Sequence, residues 1–201
     1  MPVIRGPKHK LSRREGIDLF GNGGDSLQRR LTQPPGQHTP KPNKMQSEYG
    51  KQLREKQKVK RMYGMRENQF KRFFEQANRA KGMPGIELLV LLERRLDNVL
   101  YRLGFARTRL QSRQLVSHGH AYVDGQRVDI ASFQIRPGME ISLDAVARHI
   151  PSVAEMIDSP APVPQWLERR PAGTGRVLRY PERQEIDAHI NERIIVEFYS
   201  R

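Results

Sequence analysis

The chain has 201 residues, with 36 Lys and Arg against 22 Asp and Glu, a formal net charge of +14. It contains no cysteine, which excludes disulfides, thiolate metal sites and cysteine nucleophiles. Its longest apolar run, Leu88 to Leu92, falls far short of the roughly 18 residues a membrane helix needs, and the start MPVIRGPKHK lacks the apolar core of a secretory signal.

The positive charge is unevenly placed. Residues 1–80 carry 19 basic and 7 acidic side chains, residues 81–150 carry 10 and 7, and residues 151–201 carry 7 and 8. A block of one sign is the mark of a contact surface, and nucleic acid is the first polyanion to consider. Residues 1–45 read as a basic arm, rich in Gly and Pro and poor in apolar side chains. Such a segment cannot offset its own chain entropy and becomes ordered on contact. Gly21 to Ser26 lacks the Gly-Lys-Ser/Thr ending of a nucleotide-phosphate loop and reads as a turn.

Val59, Met62, Tyr63, Phe70, Phe73, Phe74 and Ala77 recur at a helical period. Gly64 divides them into helices over 47–63 and 66–81. The outer face of the first carries Lys51, Arg54, Lys56, Lys58, Lys60 and Arg61, with Glu55 as its one acid. A solvated helix mixes signs, so this face expects an anion beside it. The three phenylalanines read as core rather than stacking platforms, whereas Tyr49 and Tyr63 read as base or sugar contacts. A single helix is predicted over 86–103, with Leu92, Leu96, Val99, Leu100 and Leu103 inward.

Thr108, followed by Gln111, begins a second helix, and Gly119 ends it. Arg109 and Arg113 share one face, with Arg107, Ser112 and Gln114 nearby. Guanidinium forks and a helix N-terminus suit phosphate. His118 and His120 have no apparent third metal ligand. Asp124-Gly125 predicts a hairpin, and Met139 to Leu143 a half-buried strand. Residues 158–185 read as an irregular connection with one strand at 176–180, in which Trp166 has no assigned role. Residues 190–199 favour a helix by spacing, with a strand as the alternative. No internal repeat is visible.

The string LERRLDNVLYRLGFARTRLQSRQLVSHGHAYVDGQRV resembles the RNA-binding S-four domain. The flanks GPKHKLSRREGIDLF, PPGQH, YGKQLREKQKVKRMYG and INERIIVEFYSR resemble one family throughout, the bacterial small-subunit ribosomal S-four family, in its zinc-free type. The resemblance implies an α+β fold: a helical lobe over 46–91 and 185–201, an inserted S-four lobe over 92–184, and the extended basic arm. It implies a structural, non-enzymatic protein of the cytoplasmic small subunit. It also implies a primary binder of small-subunit ribosomal RNA that helps nucleate assembly and bears on translational accuracy. Neighbouring small-subunit proteins, number five among them, and messenger RNA where it enters the subunit are the implied further partners. No membrane, cofactor or metal is expected.

The implied RNA contacts are Lys8, Lys10, Ser12, Arg13 and Arg14 on the arm, and Gln37 and His38 in the PGQH turn. On the basic helix they are Gln52, Arg54, Lys56, Lys58 and Arg61, to which Tyr49 is added from its place beside that helix. In the S-four lobe they are Arg107, Thr108, Arg109, Arg113 and Gln114, to which His118 is added from its place just beyond that helix. Glu182, Glu185, Asp187, Glu192 and Glu197 would face protein. Two other readings compete. Pseudouridine synthases also carry S-four domains and one class has a catalytic Asp in an Arg-Leu-Asp string, here Arg95-Leu96-Asp97; Asp97 reads more simply as an arginine partner. The third reading is a regulatory RNA-binding module acting off the ribosome.

Overall fold

The computed structural model describes residues 6–21, 23–36, 47–159 and 162–200. The chain packs as two compact units, one containing the residues up to Phe74 and from His189 onward, the other Glu75 to Ala188. The sequence-based division into 46–91 with 185–201 and 92–184 places both boundaries differently.

In the first unit α1 spans Lys8–Glu15 and α2 Asp25–Gln28. The described part of the arm therefore contains two short helices. Leu19, Phe20 and Leu27 are buried, and Ser12 Oγ accepts a hydrogen bond from Leu19 N at 3.3 Å. The Asp18 carboxylate accepts from the backbone of Phe20, Gly21 and Gly23 and closes the turn before α2. Three buried apolar residues and a self-contained Asx turn supply what composition alone did not reveal.

Ser47 caps α3, Glu48–Met62, by accepting from Gly50 N. Gly64, at φ 57°, turns the chain into α4, Glu67–Asn78. The unit boundary falls inside α4. Phe70 and Phe74 are buried and stack on Tyr199 at 6.3 and 4.5 Å, as their helical spacing predicted.

In the second unit α5 spans Pro84–Glu93 and α6 Leu96–Arg102. The helix expected over 86–103 is thus two. Arg95 is extended at ψ 135° and forms an antiparallel bridge with Gln134. Leu96 N donates to Phe133 O at 2.9 Å, and Ile135 N to Arg94 O at 2.9 Å. The apolar period passes through the break unchanged, which is why periodicity could not show it.

Next come α7, Arg109–Ser117, then β1, Ala121–Val123, and β2, Gln126–Arg127. Asp124 at φ 48° and Gly125 at φ 78° make the two-residue turn between them, the left-handed pair a right-twisted hairpin needs. β3 is Glu140–Leu143. The segment after it holds α8, Ala145–Arg148, α9, Pro151–Asp158, β4, Leu167–Arg170, and β5, Thr174–Val177. The irregular connection expected over 158–185 with one strand is therefore corrected to a two-stranded hairpin and a 3-10 turn at Arg183–Glu185, and the helical pair before it lies where no element was expected. The sheet is antiparallel in the order β2-β1-β3-β5-β4.

α6 and α7 seal this sheet with Leu96, Val99, Leu100, Leu103, Leu115 and Val116, and Trp166 lies in the same core at 1% exposure. Gly175 allows the close approach: a Cβ there would meet Leu103 Cδ2 at 2.6 Å. In the first unit Asn191 caps the last helix, α10, Glu192–Tyr199, so 190–199 resolves as helix. Among the described residues no helix is long and apolar enough to cross a membrane, and no cluster of three His, Asp or Glu could hold a metal.

Candidate nucleic-acid interface

On the first unit, α3 carries its bases as expected, but distant carboxylates meet them. Glu15 pairs with Arg54 and Arg61. Burial raises the pKa of Glu15 above the ordinary glutamate value, and the two arginines oppose that rise. Glu67 receives Lys56 at 2.5 Å and Lys60 at 2.7 Å, and the Tyr199 hydroxyl donates to it at 3.2 Å. Burial works against ionisation of Glu67, yet the two lysines overcome it and hold its pKa below the usual range. Burial, and then Glu67, raise the pKa of Tyr199.

Four positions assigned to RNA by resemblance are instead internal. Ser12 caps the turn already described. Gln52 is buried and donates to Glu197 at 3.2 Å. Lys56 is buried against Glu67 and lies 4.4 Å over the Phe198 ring. Arg113 is buried against Asp97. Tyr63, at 2% exposure, is core as well. The period that places Val59 and Met62 inward also turns Gln52, Lys56 and Tyr63 inward. Lys58 pairs with Glu55 and donates to His189 O at 2.6 Å. Arg13 donates to Gln33 O and Pro34 O, both at 3.0 Å. Gln37 and His38 lie outside the described residues.

Lys8, Lys10 and Arg14 on α1 and Tyr49 on α3 are exposed. Sequence reasoning missed five further exposed cations: Arg29 and Arg30 after α2, Arg66 before α4, and Lys71 and Arg72 on α4. The period that buries Phe70 and Phe74 leaves 71 and 72 outward, so the signal was present. Among the described residues no carboxylate forms an ion pair with any of these eight Lys and Arg side chains.

On the second unit, Thr108 Oγ1 accepts from Gln111 N at 3.2 Å and caps α7. Arg107 N donates to Gln111 Oε1 at 2.9 Å in return. The expected contact face of Arg109 and Arg113 points inward. Arg113 Nε donates to Asp97 Oδ2 at 2.7 Å, and Arg95 grips the same carboxylate from the other side at 2.9 Å. Arg109 donates to Asn98 Oδ1 at 2.8 Å and to Asp187 at 3.0 Å, with its guanidinium 4.6 Å over Tyr101. Arg102 binds Glu93 through two bonds of 2.9 Å. Asp187 is partly buried, which disfavours its charge, but Arg102 and Arg109 hold its pKa below the usual aspartate range. The break at Arg95 carries that arginine inward and builds this network.

The outward side of α7 is therefore Gln114, with Arg107 before the helix and His118 after it, all exposed. Arg107 pairs with Glu155 on the open surface, a contact worth little and readily exchanged. Arg127, Arg136 and Arg176 are exposed on the same unit. The arrangement offers single cations, amides and imidazoles to a ligand, while the paired arginines brace the fold.

A helical pair packed on a small antiparallel sheet, with a polar and basic outer face, defines an RNA-binding module of the S4 type. Residues 94–141 match the family model described as S4 domain, and residues 4–93 match the one described as ribosomal protein S4/S9 N-terminal domain. The chain is 49% identical to the small ribosomal subunit protein uS4 of Natranaerobius thermophilus over 209 residues. It is 49% identical to that of Geobacillus kaustophilus and 50% identical to that of Lysinibacillus sphaericus, each over 202 residues. In all three, the match covers 100% of both chains. The chain belongs to the uS4 family of small-subunit ribosomal proteins.

Proposed function

We infer that the protein is a structural constituent of the small ribosomal subunit, in the cytoplasm, and that it binds small-subunit ribosomal RNA. The observation that carries this reading is the likeness to proteins named for the small subunit along the whole chain rather than over one module. The exposed cations support it in physical terms. Phosphate contacts by Lys8, Lys10, Arg14, Arg29, Arg30, Arg66, Lys71 and Arg72 would supply affinity, and RNA shape would supply specificity. In this reading the protein binds early, helps nucleate assembly and bears on translational accuracy. It meets neighbouring proteins, number five among them, through its less basic surface, and messenger RNA where it enters the subunit.

We read the protein as a binder rather than an enzyme. The Asp97 that a pseudouridine synthase would need for catalysis is 3% exposed and held between Arg95 and Arg113. Sedimentation at physiological salt tests the function: most of the protein should travel with small subunits. A protein found mainly free would favour the regulatory reading. Footprinting of the purified chain on small-subunit ribosomal RNA should show one discrete protected junction.

A further inference from the structure

The outward face of α7 opens onto a cavity of about 150 Å³ that the phosphate contacts above leave unused. Leu115 and Val153, 5% and 0% exposed, form its floor. Gln114 and His118 stand at its rim, and Ser152 and His120 close its sides. The walls are fixed from behind. Gln111 Nε2 donates to Ser152 Oγ at 3.0 Å, which ties α7 to α9. His120 Nδ1 lies 3.0 Å from Asp144 Oδ2, and Asp144 itself caps α8 by accepting from Ala147 N at 2.7 Å.

These groups define the ligand's chemistry. The Gln114 amide offers a donor and an acceptor side by side, the pairing that reads a base edge. The Ser152 hydroxyl accepts from Gln111 and keeps its proton to donate. The His118 ring can stack on a flat heterocycle over an apolar floor. No Lys or Arg lines the cavity, so it suits an uncharged group rather than a phosphate. Cations stand just outside it: Arg127 donates to His118 O at 3.3 Å, and Arg107 precedes α7 with only a surface partner. A neutral slot flanked by two exposed arginines matches a nucleotide, with the base inside and its phosphates at the edge.

We propose that this cavity receives one unstacked nucleobase of the bound RNA. The proposal rests on the RNA-binding function inferred above. It deepens that function by assigning a base contact to the outward side of α7.

The test uses the full chain and a transcript of small-subunit ribosomal RNA, with affinity measured across a salt series at about pH 8. One variant combines Gln114→Ala with His118→Ala; the other is Ser152→Trp, which fills the cavity from its edge. All three positions are exposed, and thermal melting confirms that each variant is folded. Both variants should bind about tenfold more weakly, the loss expected for one stacked base, with the salt slope unchanged because no phosphate contact is removed. One nucleotide protected from base-specific chemical modification by the wild type should become reactive with Ser152→Trp.

Wild-type affinity in both variants would overturn the proposal. So would a shallower salt slope, which would make these groups phosphate contacts. Intact RNA binding with poor incorporation into subunits would overturn it as well, by making the occupant a protein side chain. Failure of the wild type to bind the transcript would remove the RNA-binding function itself, a result distinct from all three.

Discussion

The helices α3 and α7 both look like cationic contact surfaces, and the molecule uses them differently. On α3 most of the bases remain at the half-open surface, where Glu15 balances Arg54 and Arg61 and Glu67 balances Lys60, and Lys56 alone is buried. On α7 Asp97 seals Arg113 in the interior, and Asp187 holds the half-buried Arg109. The opposing carboxylates come from far along the chain: Glu15 is 39 residues from Arg54, and Asp187 is 78 residues from Arg109. Counting charge within one helix therefore overstates how many cations stay available to RNA. The available ones sit where no distant acid reaches, on α1, after α2 and on α4.

The contrast breaks first at Arg113. If it braces the fold, Arg113→Ala leaves Asp97 with less compensation in a dry site and should destabilise the protein by about 3–5 kcal/mol in chemical denaturation. A phosphate-binding residue on the surface would instead leave stability within about 0.5 kcal/mol. The opposite pattern is expected of Lys8, Arg14, Lys71 and Arg72. Replacing all four with Ala should leave unfolding almost unchanged. The same change should reduce the slope of log affinity against log salt by about 3–4 units, a little under one per lost phosphate contact.

A smaller effect tests the paired arginines from the acid side. Asp187 has a folded-state pKa below its unfolded value, so its stabilisation is present above about pH 4 and is lost as pH falls further. Asp187→Asn should therefore lower the melting temperature at about pH 6, and the gap to wild type should close below about pH 4. A gap that persisted in acid would mean the lost contact is not electrostatic. The smallest effect belongs to Arg107. Its exposed pair with Glu155 should be worth under about 0.5 kcal/mol, so Arg107→Ala should change RNA affinity more than stability.

Much of this architecture was legible because its signals are local. Ser47, Gly64, Thr108, Asp124-Gly125 and Gly119 each fix a boundary through their own backbone or cap. The break at Arg94–Arg95 was not legible, because it is set by pairing with Gln134 some forty residues on while the leucine period runs through it. The cap at Asp144 and the proline opening α9 were readable signals for the missed helices, but both elements are short, with four and eight residues. Within the candidate interface, residue type showed where along the chain the cations cluster. Which of them face outward depended on burial and on partners contributed by other segments.

The central claim is that a set of unpaired surface cations, rather than the internally matched arginines, carries the RNA affinity. The most direct test is the affinity of the full wild-type chain for small-subunit ribosomal RNA between about 50 and 200 mM salt, alongside the Lys8, Arg14, Lys71 and Arg72 quadruple variant. The account predicts that wild-type affinity falls by about a thousandfold or more across that range, and that the variant's dependence is clearly shallower. A nearly flat wild-type response, or a variant slope equal to that of the wild type, would contradict it.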